Sequence, residues 1–413
     1  MKRRVVVTGL GMVTPLGNTE ADTWEALLQG KSGAAPIKGF DASDQDVRFA
    51  CEVKDFEATN YMDRKEAKRA DRFVHYAVAA ADQAVADAGW KTDEAAGDRT
   101  GVIIGSGIGG ITTFQEQCTI YLEKGPKRVS PFFVPMFIPD MASGLVSMRL
   151  GARGPNYCTV SACSSSAHAL GESFRLIRDG LADRMVTGGA EAAITALSVA
   201  GFGNMRALST RNDEPEKASR PFDKDRDGFV LGDGSAIVIL EDLETANARG
   251  AKILAEVVGY GMSADAHHMT QPAEGGEGAM RAMLECIKDG GFDTNDVGYI
   301  NAHGTSTPQG DIAEVKAVKN IFGDQASKLI MGSTKSMTGH LLGAAGGLEF
   351  GVAVRVLETG KVPPTINQDT PDPECDLDCA PNKMVERDVS IALSNSFGFG
   401  GHNVSLAVRR YEE

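Results

Sequence analysis

Cys163 sits in the run VSACSSSAHALGESFRLI, where small residues lead from an apolar, β-tending segment into a helical pattern. Ala167, Leu170, Phe174 and Ile177 recur at spacings of three and four, the period of a helix with one buried face. Ser164, Ser165 and Ser166 follow the cysteine, and serine favours the first turn of a helix over its interior. The cysteine is therefore expected at or just before a helix N-terminus, where unpaired N–H groups and the positive end of the helix dipole lower the pKa of a thiol. A thiolate presented in this way is a ready nucleophile. The competing reading, a small buried hydrophobe, has to be weighed against two histidines far downstream. His303 in NAHGTST and His340 in KSMTGHLLGAAGG each follow a β-like segment in a glycine-rich turn, a place from which a side chain faces a cleft. His75 and His168 fall inside helical patterns and read as structural.

The elements that must hold these residues are legible along the chain. Arg3 to Thr8 reads as a strand, and Gly9-Leu10-Gly11 follows it. A dinucleotide-binding turn is set aside because Thr14 stands where a third glycine is needed and no helix opens there. Thr19 and Asp22 fit a capping box for the first helix, with Gly30 at its end. A long helix is expected from about Arg64 to Ala88, its opening carrying Lys65, Lys68, Arg69 and Arg72 as one basic stripe. Thr100 to Gly110 reads as a buried strand and a glycine-rich turn, of the sort used where backbone skirts a bound chain. PFFVPMFIP (131–139) is too proline-broken for a helix and too apolar for an exposed loop, so it should line a cavity or a subunit contact. Asp223 to Gly228 imitates the start of a calcium loop, but Gly234 stands where the bidentate glutamate is required.

The second half echoes the first. Ala251 to Gly261 resembles the opening strand, and Val297 to Thr307 resembles Thr100 to Gly110. Lys328 to Phe350 resembles the strand, turn and helix around Cys163, and Ser390 to Asn403 resembles the segment beginning near Arg184. Echoes in the same order point to a duplicated α/β unit, divided here into 1–250 and 251–413, with corresponding turns converging at the ends of parallel strands.

Composition bounds the class. The chain has 413 residues with 42% hydrophobic and 24% charged side chains, as expected of a globular protein. No apolar run is long enough for a membrane span and MKRRVVVTGLG lacks the core of a signal peptide, so no membrane association and a cytoplasmic location are expected. Seven scattered cysteines suit a reducing compartment, and Cys375 and Cys379 have no neighbouring ligands that would make a zinc site. A net charge of −14 argues against nucleic-acid binding, so an acidic partner would need a local basic patch.

VSACSSS with Cys163, NAHGTSTPQGD with His303, STKSMTGHLLGAAGG with Lys335 and His340, and NSFGFGG with Phe397 and Phe399 resemble the signature regions of the β-ketoacyl-[acyl-carrier-protein] synthases. The spacing and the stretch RALSTRNDEPEKASRPFDKDRDGFVLGDG resemble the type II enzymes of dissociated fatty acid synthesis, from residue 3 to the C-terminus. The resemblance implies a thiolase-like, duplicated five-layer α/β/α/β/α fold and a decarboxylative condensation. Cys163 would take an acyl group from an acyl carrier protein, the N–H groups of Cys163 and Phe399 would form an oxyanion hole, and His303 and His340 would hydrogen-bond the enolate left when malonyl carrier loses carbon dioxide. Lys335 would pair with Glu349, with Asp311 in a supporting position, and Thr305 and Thr307 would bind the pantetheine arm. No cofactor is implied. Related enzymes hold a structural cation near positions matching Asn301, Glu349, Ser394 and Asn395. Ile108, Phe202 and a Phe133 supplied by a second subunit of a homodimer are the expected acyl lining. Lys65, Lys68 and Arg69, with Lys127, Arg128 and Arg206, are expected to dock the carrier. Two departures stand out: His402 replaces the threonine of GFGGTN, and Ser164 to Ser166 replace a more mixed run after the nucleophile. A thiolase would need a second catalytic cysteine late in the chain, where Phe397, Phe399 and His402 stand instead. A polyketide ketosynthase and a non-catalytic chain-length subunit are the remaining rivals, and a non-catalytic subunit has no need of Cys163.

Overall fold

Val5–Val13 forms the first strand, β1, whose nine residues are all buried. It continues past Thr8, the expected end of the strand, through Gly9 and Gly11 to Val13, with a bulge between Val7 and Gly9. A Cβ on Gly9 would lie 2.2 Å from the Ala84 carbonyl oxygen, and one on Gly11 would lie 2.0 Å from that of Ala80. The two glycines let the helix Arg72–Asp87 lie directly on the strand. Gly259 and Gly261 do the same for Cys286 and Ala282 in the other half, at 2.4 and 2.0 Å from the nearest carbonyl oxygens.

The computed structural model describes residues 2–91, 95 and 97–412. After β1 come Thr100–Gly105 (β2), Asn156–Tyr157 (β3), Arg184–Glu191 (β4), Gly234–Asp242 (β5), Ala255–Ala264 (β6), Val297–Asn301 (β7), Ile330–Gly332 (β8), Ile391–Gly398 (β9) and His402–Arg409 (β10). They hydrogen-bond in the order β8-β7-β9-β10-β6-β1-β5-β4-β2-β3. The order is a mirror: β1 to β5 on one side occupy the places of β6 to β10 on the other. The halves join through antiparallel pairing of Val5–Val7 with Ala255–Val257. Two helices, Ser165–Arg178 and Ala345–Thr359, pack on each other between the two wings of the sheet. Arg72–Asp87 covers the outer face of one wing and Glu277–Gly290 that of the other. Five layers result, as the resemblance implied, and the echoed segments hold mirrored positions.

Two local expectations fail. The long helix at 64–88 is split into Arg64–Ala67 and Arg72–Asp87. Asp71 causes the break: its buried carboxylate accepts the Phe73 N–H as a helix cap and also takes the Thr113 N–H and hydroxyl at 2.8 and 2.6 Å. The segment 131–139 does contain a helix, Phe133–Phe137, and Pro135 is tolerated because it lies in the first turn, where its missing N–H would have had no partner. Among the described residues no helix is long and apolar enough to cross a membrane.

Candidate active site

Cys163 is the middle residue of a tight 3-10 turn, Ala162–Ser164, that opens directly into the central helix Ser165–Arg178. Ala162 has φ +52°, a strained backbone for a residue with a side chain, held by the turn around it. The three serines are the reason the turn holds. Ser164 Oγ lies 3.0 Å from the Ser396 carbonyl and 2.7 Å from the His402 carbonyl, tying the turn to the loop that carries Phe399. Ser165 Oγ bonds the Ala162 carbonyl and accepts the Ser161 N–H, and Ser166 Oγ accepts the Gly347 N–H of the second central helix. His402, exposed with its ring beside Gly400, enters this network only through its carbonyl.

The thiol does not titrate as its place before a helix suggested. Burial pushes it up to about 11, against the opposing effects of the Lys335 charge and of the Phe399 and Cys163 N–H groups that face the sulfur. Desolvation of the thiolate outweighs the helix terminus. Two N–H donors aimed at one point beside the sulfur are able to receive an oxygen that gains negative charge.

His303 follows β7, and its turn is fixed by Glu314, whose two carboxylate oxygens accept the His303 and Gly304 N–H groups, both at 2.9 Å. His340 is held by its own backbone: its N–H donates to Val230 at 2.7 Å and its carbonyl accepts the Gly232 N–H at 2.9 Å. The two imidazoles meet edge to face at 5.5 Å, with Phe397 against His303 and Phe229 against His340. Burial, reinforced by the Lys335 charge, holds both well below the ordinary histidine range, so they are neutral near pH 7. Nδ1 of His303 and both ring nitrogens of His340 are buried without a protein partner. Neutral, unpartnered imidazoles are suited to donate to an oxygen that gains charge.

Lys335 is buried and ion-paired with Glu349 of the second central helix. Burial pushes the Glu349 carboxyl up to about 7, with the Lys335 cation opposing it. Asp311 lies further out, accepting the Phe222 N–H at 2.9 Å and paired with Arg226 at 3.5 Å. Both atoms of the Asn301 amide, Ser394 Oγ, Asn395 Oδ1 and Glu349 Oε2 are buried without hydrogen-bond partners. The uncharged oxygens plus one carboxylate oxygen are a donor set that would fit a hard cation of low charge, the kind of ion the resemblance implies.

One cavity of about 550 Å³ joins these groups, lined by Cys163, His303, His340, Thr305, Thr307 and the Phe399 loop, with Ile108, Phe202, Phe229 and Leu342 at its apolar wall. Phe133 does not reach it in this chain; it stacks on Phe137 at 5.8 Å and packs near Phe114. Lys65, Lys68, Arg69, Lys127, Arg128 and Arg206 are all exposed. Arg69 also stacks over Phe132 at 4.4 Å. Arg72 leaves the stripe because the break at Asp71 turns it inward onto the Tyr76 hydroxyl at 2.7 Å. Sequence reasoning missed Phe229, Glu191 and Glu314. Phe229 and Glu191 are far in sequence from the groups they support, while Glu314 is marked only by its place on the helix following His303.

The fold and the cavity define a class, duplicated α/β enzymes with a cysteine and two neutral histidines converging on one apolar site. Family models for the N-terminal and C-terminal domains of β-ketoacyl synthases match residues 2–246 and 254–369. A 3-oxoacyl-[acyl-carrier-protein] synthase 2 of Synechocystis sp. is 57% identical over 411 residues, covering 100% of this chain and 99% of the relative. The corresponding synthase of Staphylococcus aureus is 52% identical over 410 residues, covering 99% of each. A solved β-ketoacyl synthase from Burkholderia phymatum superimposes with a TM-score of 0.93 at 37% identity, over 100% of both chains. A solved ketosynthase in complex with its type II polyketide acyl carrier protein gives 0.92 at 34%, again over 100% of both. This chain belongs to the β-ketoacyl synthase family.

Proposed function

We propose that this chain is a 3-oxoacyl-[acyl-carrier-protein] synthase that lengthens an acyl chain by decarboxylative condensation with malonyl-[acyl-carrier-protein] in fatty acid synthesis. The observation that carries the reading is the convergence of Cys163, its two facing N–H groups and two neutral histidines in one apolar cavity. Cys163 Sγ attacks the acyl thioester carbonyl. The carrier thiol leaves with the cysteine proton, and the acyl group remains on Cys163. Malonyl carrier then enters, carbon dioxide departs, and the electron pair moves onto the thioester oxygen as an enolate. His303 and His340 donate to that oxygen and are not required to change charge. The carbanion attacks the acyl carbonyl, whose oxygen sits at the Cys163 and Phe399 N–H groups; the sulfur leaves and is reprotonated. Lys335 acts at a distance, because its charge helps keep both histidines neutral.

Thr305 and Thr307, with hydroxyls 3.1 Å apart on the cavity wall, hold the pantetheine arm, and Ile108 and Phe202 line the acyl tunnel. Phe133 reaches a neighbouring tunnel within a homodimer. Asn301, Glu349, Ser394 and Asn395 would hold a structural cation through their unpartnered oxygens, and the reaction needs no step through it. The exposed basic residues, on a chain of net charge −14, suit an acidic carrier protein. We place the boundary between the two halves at 250/251 and the enzyme in the cytoplasm. Incubation with an acyl carrier and malonyl carrier, followed by mass analysis of the carriers, tests the activity. A 3-oxoacyl product two carbons longer is expected, and no product from folded protein overturns the reading.

A further inference from the structure

Glu191, the last residue of β4, is wholly buried and lies between two turns of the site without lining the cavity. Its Oε2 accepts the Gly107 N–H at 2.7 Å and the Gly343 N–H at 2.9 Å, and its Oε1 accepts the Ile108 N–H at 3.1 Å and the Ser106 hydroxyl at 3.0 Å. Ser106 Oγ in turn accepts the Gly109 N–H at 3.1 Å. One carboxylate thus ties the turn carrying Ile108 to the turn after His340.

The duplication shows what this carboxylate replaces. Gly343 stands in the second half where Cys163 stands in the first. Each is the middle residue of a 3-10 turn that opens on a residue with positive φ, Ala162 at +52° and Leu342 at +46°, and leads into a central helix. β4 and β9 are mirrored strands, and their last residues are Glu191 and Gly398. A Cβ on Gly398 would lie 3.2 Å from Cys163 N and 2.7 Å from the Ser161 carbonyl oxygen. A side chain there would cover the N–H that must receive the substrate oxygen. In the other half that side chain exists, and its carboxylate covers the Gly343 N–H.

We propose that Glu191 is a positioning residue: a built-in anion that fills the mirrored, unreactive copy of the oxyanion hole and so locks the acyl-pocket turn at Ile108 against the turn following His340. The proposal rests on the synthase reading for its consequence, placement of the acyl group, but the anion cradle itself is a property of the fold. His340 has separate backbone anchors in Val230 and Gly232, so loss of Glu191 should disturb acyl placement more than the histidine that serves decarboxylation.

The test uses the full chain. Glu191→Gln keeps the volume but sets an amide donor against N–H groups. Acyl transfer to Cys163 should fall about a hundredfold, the cost of a misplacement near 1 Å, while decarboxylation of malonyl carrier falls far less. Glu191→Ala leaves the cradle empty, and added formate should raise its unfolding temperature and restore acyl transfer, with no such effect on the unsubstituted protein. If neither variant folds, Ser106→Ala decides, with acyl transfer expected to drop while decarboxylation is kept. Glu191→Gln that loads acyl groups normally, proportional loss of both activities with no response to formate, or Ser106→Ala that loads normally where it decides, would each overturn the assignment. Failure of the unsubstituted protein to condense would instead remove the synthase reading, and the formate response would still report on the cradle.

Discussion

Cys163 owes its chemistry to two opposing surroundings: N–H groups and the Lys335 cation favour the thiolate, and burial disfavours it more strongly. Its thiol lies above the ordinary value in the folded chain, so the stabilisation from burying it protonated is complete below about pH 9 and is lost as pH rises toward about 11. Alkylation of Cys163 by iodoacetamide, followed on its own peptide by mass because Cys118 is an exposed competing thiol, should therefore keep accelerating beyond pH 9. A plateau near neutral pH would contradict the burial effect. Lys335→Met should slow the reaction further at any given pH, because it removes the cation that favours the thiolate. Cys163→Ala should abolish acyl capture, and His303→Ala and His340→Ala should still be acylated on exposure to acyl carrier. The histidine variants should fail at decarboxylation, each lost donor costing roughly 3 to 4 kcal/mol. A washed, acylated Cys163→Ala protein would show that the nucleophile lies elsewhere.

Elements bring these residues together by close approach of backbone. β1 and the helix Arg72–Asp87 touch at Gly9 and Gly11, where there is no room for a side chain. Gly11→Val should overpack this contact and destabilise the fold by about 1 to 3 kcal/mol or more, seen as a lower denaturant midpoint with the slope unchanged. Unchanged stability would mean that the helix can move off the strand at little cost. The split at Asp71 has a different consequence: Lys65, Lys68 and Arg69 stay in water while Arg72 turns inward. Lys65→Glu with Lys68→Glu should raise KM for carrier-bound acyl groups and weaken its salt dependence, leaving a small carrier-free thioester unaffected. Equal losses on both substrates would place the effect in the fold.

At the scale of the whole molecule, the mirrored sheet puts Cys163 from one half and both histidines from the other into one cavity. The same chain leaves large apolar side chains in water, among them Leu122, Val134, Met148 and Tyr157, with Val160 59% exposed. Such residues suit a contact between two copies. Sedimentation should give twice the 43.6 kDa of the chain, and Val160→Asp should shift the mass toward the monomer. A monomer at micromolar concentration would count against the homodimer and against a tunnel completed by a partner's Phe133.

The sequence by itself determined the parts that depend on neighbours along the chain: the cap at Thr19, the turn before the Ser165 helix, the strand leading to His303, and the order of echoes between halves; before His340 a short helix, Lys335–Thr338, follows the strand Ile330–Gly332. The legible parts follow from hydrophobic period, turn chemistry and serine's preference for helix starts. Tertiary structure decided everything that depends on what packs from elsewhere. It raised the Cys163 thiol instead of lowering it, because desolvation is set by the surrounding cavity. It made Gly9 and Gly11 a packing contact, drew Asp71 out of a continuous helix to reach Thr113, and kept Phe133 from this chain's own cavity. It also joined Glu191 to Gly343 across 152 positions, a contact that no local pattern encodes and that exists only because the two halves fold onto each other.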